Sequence, residues 1–294
     1  MRFPWMRLAS PWLLALLVLG ACAGLFGAPP AVQELYRKAG EGDVQSQYLL
    51  AMRLTNGRGV SQDYGAGVQW FTRSALGGHA KAQYMLGVAL SAGRGVDRDS
   101  VEAVAWFERA AVQGHERAQY QLGDAYANGR GVGKEPEWAV RWLEMAAERG
   151  HMEAQFTLGV SFAAGLGVAV DSVAAAEWLM IAGKGGHARG EEAVEALTVK
   201  MTSAEVARAG RLAGQWSAGS RDSLAEAPTV RFVERALGRL GYDPGGVDGE
   251  AGPQTRAAIE AYRRTNGLAP GGEVTADLVS ELRRALAALG KPGG

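Results

Sequence analysis

The sequence predicts an all-α protein, an α-solenoid of helix-turn-helix repeats followed by a small three-helix domain. Three observations carry this. Trp70, Trp106, Trp142 and Trp178 recur 36 residues apart, each inside a copy of one pattern. Every copy has a glycine-rich turn between two amphipathic stretches. Beyond a small, polar segment near residue 220, three more helical patterns are separated by Gly, Pro and Asp.

The chain opens with what reads as an export signal, to be kept out of the fold. Arg2 and Arg7 precede an apolar run from Leu8 to Gly20, and Leu19-Gly20-Ala21-Cys22 has the form of a lipobox. That motif resembles the bacterial lipoprotein signal, which implies cleavage after residue 21 and lipidation of Cys22. The alternatives are an ordinary secretory signal or an uncleaved anchor, although the run is shorter than the roughly 20 residues of a spanning helix. Cys22 is the single cysteine, so no intrachain disulfide forms. Residues 22–30 then serve as a tether.

The repeats fill residues 31–216. Gln47-Tyr48, Gln83-Tyr84, Gln119-Tyr120 and Gln155-Phe156 open the four units, and Gly-His pairs ending at His79, His115, His151 and His187 close them. In the unit 79–114, Ala82, Leu86 and Leu90 mark one helical stripe, Gly93-Arg94-Gly95 stops it, and Val104, Phe107 and Ala111 mark a second. Gly87, Gly123 and Gly159 inside the first helices cost about 1 kcal/mol each against alanine, a cost that close helix approach offsets. A repeat of this size cannot bury its apolar face alone and stacks on its neighbours. The order A-Q-Y-x-L-G, G-R-G-V, A-V-x-W, A-A-x-x-G-H resembles the Sel-one-like repeat, a relative of the tetratricopeptide repeat. The resemblance implies a solenoid that binds other proteins. Ala31–Gly42 reads as the second helix of an incomplete leading unit. Residues 187–216 read as a degenerate closing pair, whose last helix starts at the capping box Thr202-Ser203-Ala204-Glu205.

Residues 217–228, S-A-G-S-R-D-S-L-A-E-A-P, read as a linker. The domain at 229–294 then shows one helix through Val230, Val233, Leu237 and Leu240, a turn at Gly241 to Gly246, and a second helix opened by Pro253. A third helix spans about Thr275 to Ala287. The series V-x-x-x-L-x-x-L-G-Y, G-x-V-D-G-x-x-G-P-x-T-x-x-A-I, N-G-L resembles a small three-helix peptidoglycan-binding domain. Ala251 and Tyr262-Arg263 depart from that family's usual residues.

Composition narrows the function classes. Lys plus Arg and Asp plus Glu each total 31, a balance that argues against nucleic acid as the main partner. No H-E-x-x-H, S-x-x-K or G-x-S-x-G motif is present, so no catalytic residues are assigned and the expectation is a non-enzyme without cofactor. The four histidines share one repeat position, about 10 Å apart in successive units, too far to share a metal ion. Arg58, Arg94 and Arg130 are either a basic ladder for a protein partner's carboxylates or solvated turn residues; Leu166 interrupts the series. For peptidoglycan, Asp248 is either a ligand contact or a turn-forming aspartate. Tyr242 and Tyr262 are either stacking rings or core, and Arg256, Arg263 and Arg264 are candidates for stem-peptide carboxylates. The expected protein is an exported envelope adaptor, anchored to a membrane through Cys22 or soluble in the periplasm. It would hold peptidoglycan at one end and an envelope protein at the other; the alternative is an accessory regulator of a cell-wall hydrolase or synthase.

Overall fold

A computed structural model describes residues 29–219 and 227–289; the segment read as an export signal and Cys22 lie outside the described residues. Among the described residues every regular element is a helix. They are α1 Pro30–Gly40, α2 Val44–Asn56, α3 Tyr64–Leu76, α4 Ala80–Ala92, α5 Ser100–Val112, α6 Glu116–Asn128 and α7 Pro136–Glu148. There follow α8 Met152–Ala164, α9 Ser172–Lys184, α10 Gly190–Thr198, α11 Ser203–Gln215, α12 Ala227–Arg239, α13 Pro253–Thr265 and α14 Ala276–Leu289. The chain divides into two compact units at Trp106–Phe107.

In the first unit α1 packs on α2, α2 on α3 and α3 on α4. The ends of these helices follow from single residues. Asp43 accepts a hydrogen bond from the Ser46 N–H at 2.7 Å, and Asp63 does the same for Ala66 at 2.9 Å. Both satisfy donors that a helix start leaves without partners. Gly57 and Gly93 end α2 and α4 at φ 66° and 65°, a left-handed conformation that a Cβ disfavours. Leu50, Leu54, Phe71, Leu86 and Leu90 form the buried side of these pairs.

The second unit repeats the plan and adds to it. Gly129 and Gly165 end α6 and α8 in the same left-handed conformation. The helices approach closely at the interior glycines: a Cβ on Gly123 would lie 2.9 Å from Leu143 Cγ, and one on Gly159 2.7 Å from Leu179 Cγ. Leu143, Ala147, Leu158, Trp178 and Ile181 cluster there, and Ala213 of α11 joins them. The expected capping box is formed, with Thr202 and Glu205 each accepting from the other's backbone N–H. Trp106, Trp142 and Trp178 are buried, and Trp70 is half-buried with Arg73 over its ring.

Three of the four repeated histidines are helix caps. His79, His115 and His151 each accept through Nδ1 from the N–H three residues on, at 3.2 to 3.3 Å. The rings stack on the aromatic that opens the preceding helix pair: His79 on Tyr48 at 4.7 Å, His151 on Tyr120 at 4.7 Å, His187 on Phe156 at 4.1 Å. Burial holds the pKa of His79 and His151 below the ordinary value, which suits a ring whose Nδ1 must stay unprotonated to accept.

The C-terminal helices follow the expected order, with Pro253 in the first turn of α13. Phe232, Val233, Leu237, Ile259, Leu278 and Leu282 are fully buried. α12 starts at Ala227, inside the segment expected to be a linker, and Ala227 and Pro228 are buried. On the other side of that segment Trp216 meets Trp178 edge-on at 6.4 Å, and the Gly219 N–H donates to the Glu148 carbonyl. The polar composition of the segment concealed that both its flanks pack.

Two glycines of identical chemistry are expected to respond oppositely. Gly159→Val forces a branched side chain against Leu179 and the Ala175 carbonyl and should cost about 1–3 kcal/mol. Gly210→Ala adds a methyl to open space within α11 and should stabilise by about 0.5–1 kcal/mol. Urea unfolding of the two variants reads both signs; a Gly159→Val protein as stable as wild type would refute the close helix approach.

Candidate functional site

In the second unit α12 lies against α7, and charge and aromatic rings carry much of that contact. The carboxylates of Glu137, Glu144 and Glu148 on α7 meet Arg239, Arg235 and Arg231 on α12 in reversed order, as antiparallel helices require. Arg231 reaches Glu148 at 2.6 Å and Glu144 at 3.4 Å, Arg235 reaches Glu144 at 3.1 Å, and Arg239 pairs with Glu137. Glu144 and Glu148 are buried, so these are low-dielectric pairs. Burial opposes the charge on Arg231, but the two carboxylates outweigh it and its pKa ends above the ordinary value.

An aromatic cluster continues the contact. Trp138 meets Phe232 edge-on at 4.8 Å and Trp142 at 6.0 Å. Arg141 lies over both tryptophan rings, at 4.5 and 4.3 Å, and donates through Nε to the Thr229 hydroxyl at 2.9 Å. Burial and the nearby Arg283 cation pull its pKa down to about 10, so it keeps its charge at neutral pH. From α14, Arg283 grips Glu135 with two hydrogen bonds at 2.7 and 2.8 Å, donates to the Tyr126 hydroxyl, and lies over Trp138 at 4.5 Å. Planar, two-pronged pairing of this kind is what a guanidinium supplies and an ammonium does not.

This junction leaves a cleft of about 700 Å³ beside the Arg239–Glu137 pair. Its walls are the fourth repeat's turn, Gly165 to Ala169, and the loop Pro244 to Val247. Glu234 stands at its side, buried, accepting from the Gly249 N–H at 3.1 Å and the Thr255 hydroxyl at 3.2 Å. Burial, together with the neighbouring Asp248 charge, pushes this carboxyl up to about 7, against the hydrogen bond from Gly249.

The residues expected from sequence fall into different settings. Asp248 is exposed and its Oδ1 accepts from the Glu250 N–H at 2.8 Å, which is turn chemistry. Tyr262 is 5% exposed and meets Tyr242 edge-on at 5.5 Å; its face is spent on the core and closed to a sugar ring. Tyr242 is half-buried, Arg263 donates to Thr275 at 3.1 Å, and Arg256 and Arg264 are exposed on α13. Arg58 is exposed, Arg94 lies over Tyr64 at 5.3 Å, and Arg130 pairs with Asp124. The junction residues were missed. Their visible signal was Trp138, a tryptophan out of register with the repeat, and Arg231, Arg235 and Arg239 at helical spacing.

Comparison with known proteins agrees with this architecture. Sel1 repeats match at residues 44–79, 80–115, 116–151 and 153–187, and the peptidoglycan binding domain family matches residues 226–282. Among solved structures, a Sel1 repeat protein from Oxalobacter formigenes is similar, with 29% identity and a TM-score of 0.54 over 64% of this chain and 77% of that one. A protective antigen of uropathogenic Escherichia coli displaying an SLR fold is also similar. It shows 26% identity and a TM-score of 0.56 over 87% of this chain but only 56% of its own length. No curated protein matches.

Two outcomes are expected at the junction. Glu144→Ala leaves two largely buried guanidinium groups short of a carboxylate and should cost about 3–5 kcal/mol, whereas Arg58→Ala should stay within about 0.5 kcal/mol; thermal unfolding distinguishes them. Glu234 binds its proton more tightly folded than unfolded. Its contribution is therefore full below pH about 4.5 and is lost as pH rises through about 7. The stability difference between wild type and Glu234→Gln should shift across that window in favour of the variant, and a pH-independent difference would refute the raised pKa.

Proposed function

We propose that this chain, which carries four Sel1 repeats and a C-terminal domain of the peptidoglycan-binding type, is a non-enzymatic adaptor of the bacterial cell envelope. The observation that carries the reading is the pairing of these two binding modules in one chain. Sel1 repeats point to a protein partner, and the C-terminal match points to peptidoglycan as the second ligand. Export through the signal at 1–21 and lipidation at Cys22 would place the chain at a membrane facing the wall. Arg58, Arg94 and Arg130 are the proposed contacts for carboxylates of an envelope protein. In the C-terminal domain the exposed members of the expected set are Asp248, Arg256 and Arg264.

Purified chain beginning at Ala23 should co-sediment with insoluble peptidoglycan and remain in the supernatant without it. A chain that stays soluble with the wall material would end the adaptor reading. In cells, Cys22→Ser should move the protein from the membrane to the soluble fraction; the same distribution for both forms would remove the lipid anchor from the proposal.

A further inference from the structure

The cleft at the junction has features that neither module's fold requires. Gly238 lies in the last turn of α12, one residue from its end, and a Cβ there would meet nothing within 4 Å. Gly246, on the facing loop, likewise has open space around it and no left-handed φ to account for it. Both line the cleft, and a side chain at either would project into space that is now open. The volume of about 700 Å³ falls within the ordinary range for small-ligand sites, about 300–1,000 Å³.

The chemistry of the walls narrows the ligand. No aromatic ring lines the cleft, so it offers no flat face for the C–H surface of a sugar. It offers instead a cation beside an anion: Arg239, whose side chain is 53% exposed, paired with Glu137. A guanidinium has five N–H donors in a planar fork, so one carboxylate partner does not exhaust it. Val168, Ala169, Pro244 and Val247 supply apolar lining. Leu166 is the residue that replaces arginine in the fourth repeat turn, so the break in the arginine series falls where the turn borders this cleft. A short peptide carrying free carboxylate and amine groups between small aliphatic side chains matches these walls; a glycan does not.

We propose that this cleft binds the stem peptide of peptidoglycan, with the fourth repeat and the C-terminal domain each supplying one wall. The proposal rests on the wall-binding reading and assigns it a site made by both modules. The full chain from Ala23 is sedimented with intact peptidoglycan and with the same material stripped of stem peptides by an amidase. Wild type should pellet with the first and not the second. Gly238→Leu and Gly246→Leu, which add side chains to the cleft from α12 and from the loop of the C-terminal domain, should each weaken pelleting about tenfold, equivalent to about 1.4 kcal/mol. Gly210→Leu, an equally unconfined glycine on α11, should pellet as wild type does, and unfolding midpoints confirm that each variant is folded. Equal pelleting of wild type with stripped and intact wall overturns the proposal, as does wild-type behaviour of both filling variants. Failure of wild type to pellet at all overturns the wall-binding reading itself.

Discussion

A helix that ends inside a protein leaves carbonyl groups without partners, and a repeat array multiplies that problem at every unit boundary. Here the turn glycine's N–H bonds one such carbonyl each time, and a buried side chain adds a second bond to the same oxygen. Gln47, Gln83, Gln119 and Gln155 donate through Nε2 to the carbonyls of Ala39, Ala75, Ala111 and Ala147, each at 3.1 Å and each eight residues upstream. All four glutamines are buried. An unmade hydrogen bond at such a site costs about 1–3 kcal/mol, so the bond fixes how the chain turns from the second helix of one unit into the first helix of the next. The histidine caps act at the same place. His79 and His151 bond the new helix's first turn while their rings stack on the preceding pair, so the angle of entry is held from two sides.

The C-terminal helices attach by a different principle. A pair of separately stable domains on a polar linker would meet through an exposed, weakly polar contact. The contact between α7 and α12 instead buries glutamates and arginines together with Trp138 and Phe232. Burying such pairs carries a desolvation penalty that their attraction only partly exceeds, so the gain lies in specificity more than in net stability. A slip by one helical turn would leave a carboxylate or a guanidinium buried alone. The ordered pairing of three arginines with three glutamates therefore selects one register, and that register positions the fourth repeat's turn opposite the Pro244–Val247 loop.

Much of the fold was legible because its determinants are local. The 36-residue register, the glycine stops, the Thr202 capping box and Pro253 at a helix start each act within one or two turns of chain. The junction was not legible for the complementary reason: Arg231 and Glu148 are 83 residues apart, and nothing in either segment alone announces the other. Tyr262 shows a second limit. An aromatic ring near the end of a helix satisfies a stacking role and a core role equally well in sequence, and only its 5% exposure decides for the core. Asp248 was open in the same way until its bond to the Glu250 amide placed it in the turn.

The family patterns describe each module by the residues it needs when considered alone, so residues that serve the contact between modules belong to neither pattern. Trp138 and Arg141 depart from the other three repeats, which carry Ala66, Glu102 and Ala174, and Gln69, Ala105 and Glu177, at those positions. Arg231, Arg235 and Arg239 occupy the face of α12 turned away from the three-helix core. Departures of this kind are costly inside a repeat, since Arg141 is largely buried and one of its terminal nitrogens has no protein partner. A cost paid at one repeat and absent from the others marks a contact made only there. In this chain the third and fourth repeats carry the out-of-register tryptophan, the arginine–glutamate pairing and the substituted turn at Leu166, and the Arg239–Glu137 pair lines the cleft.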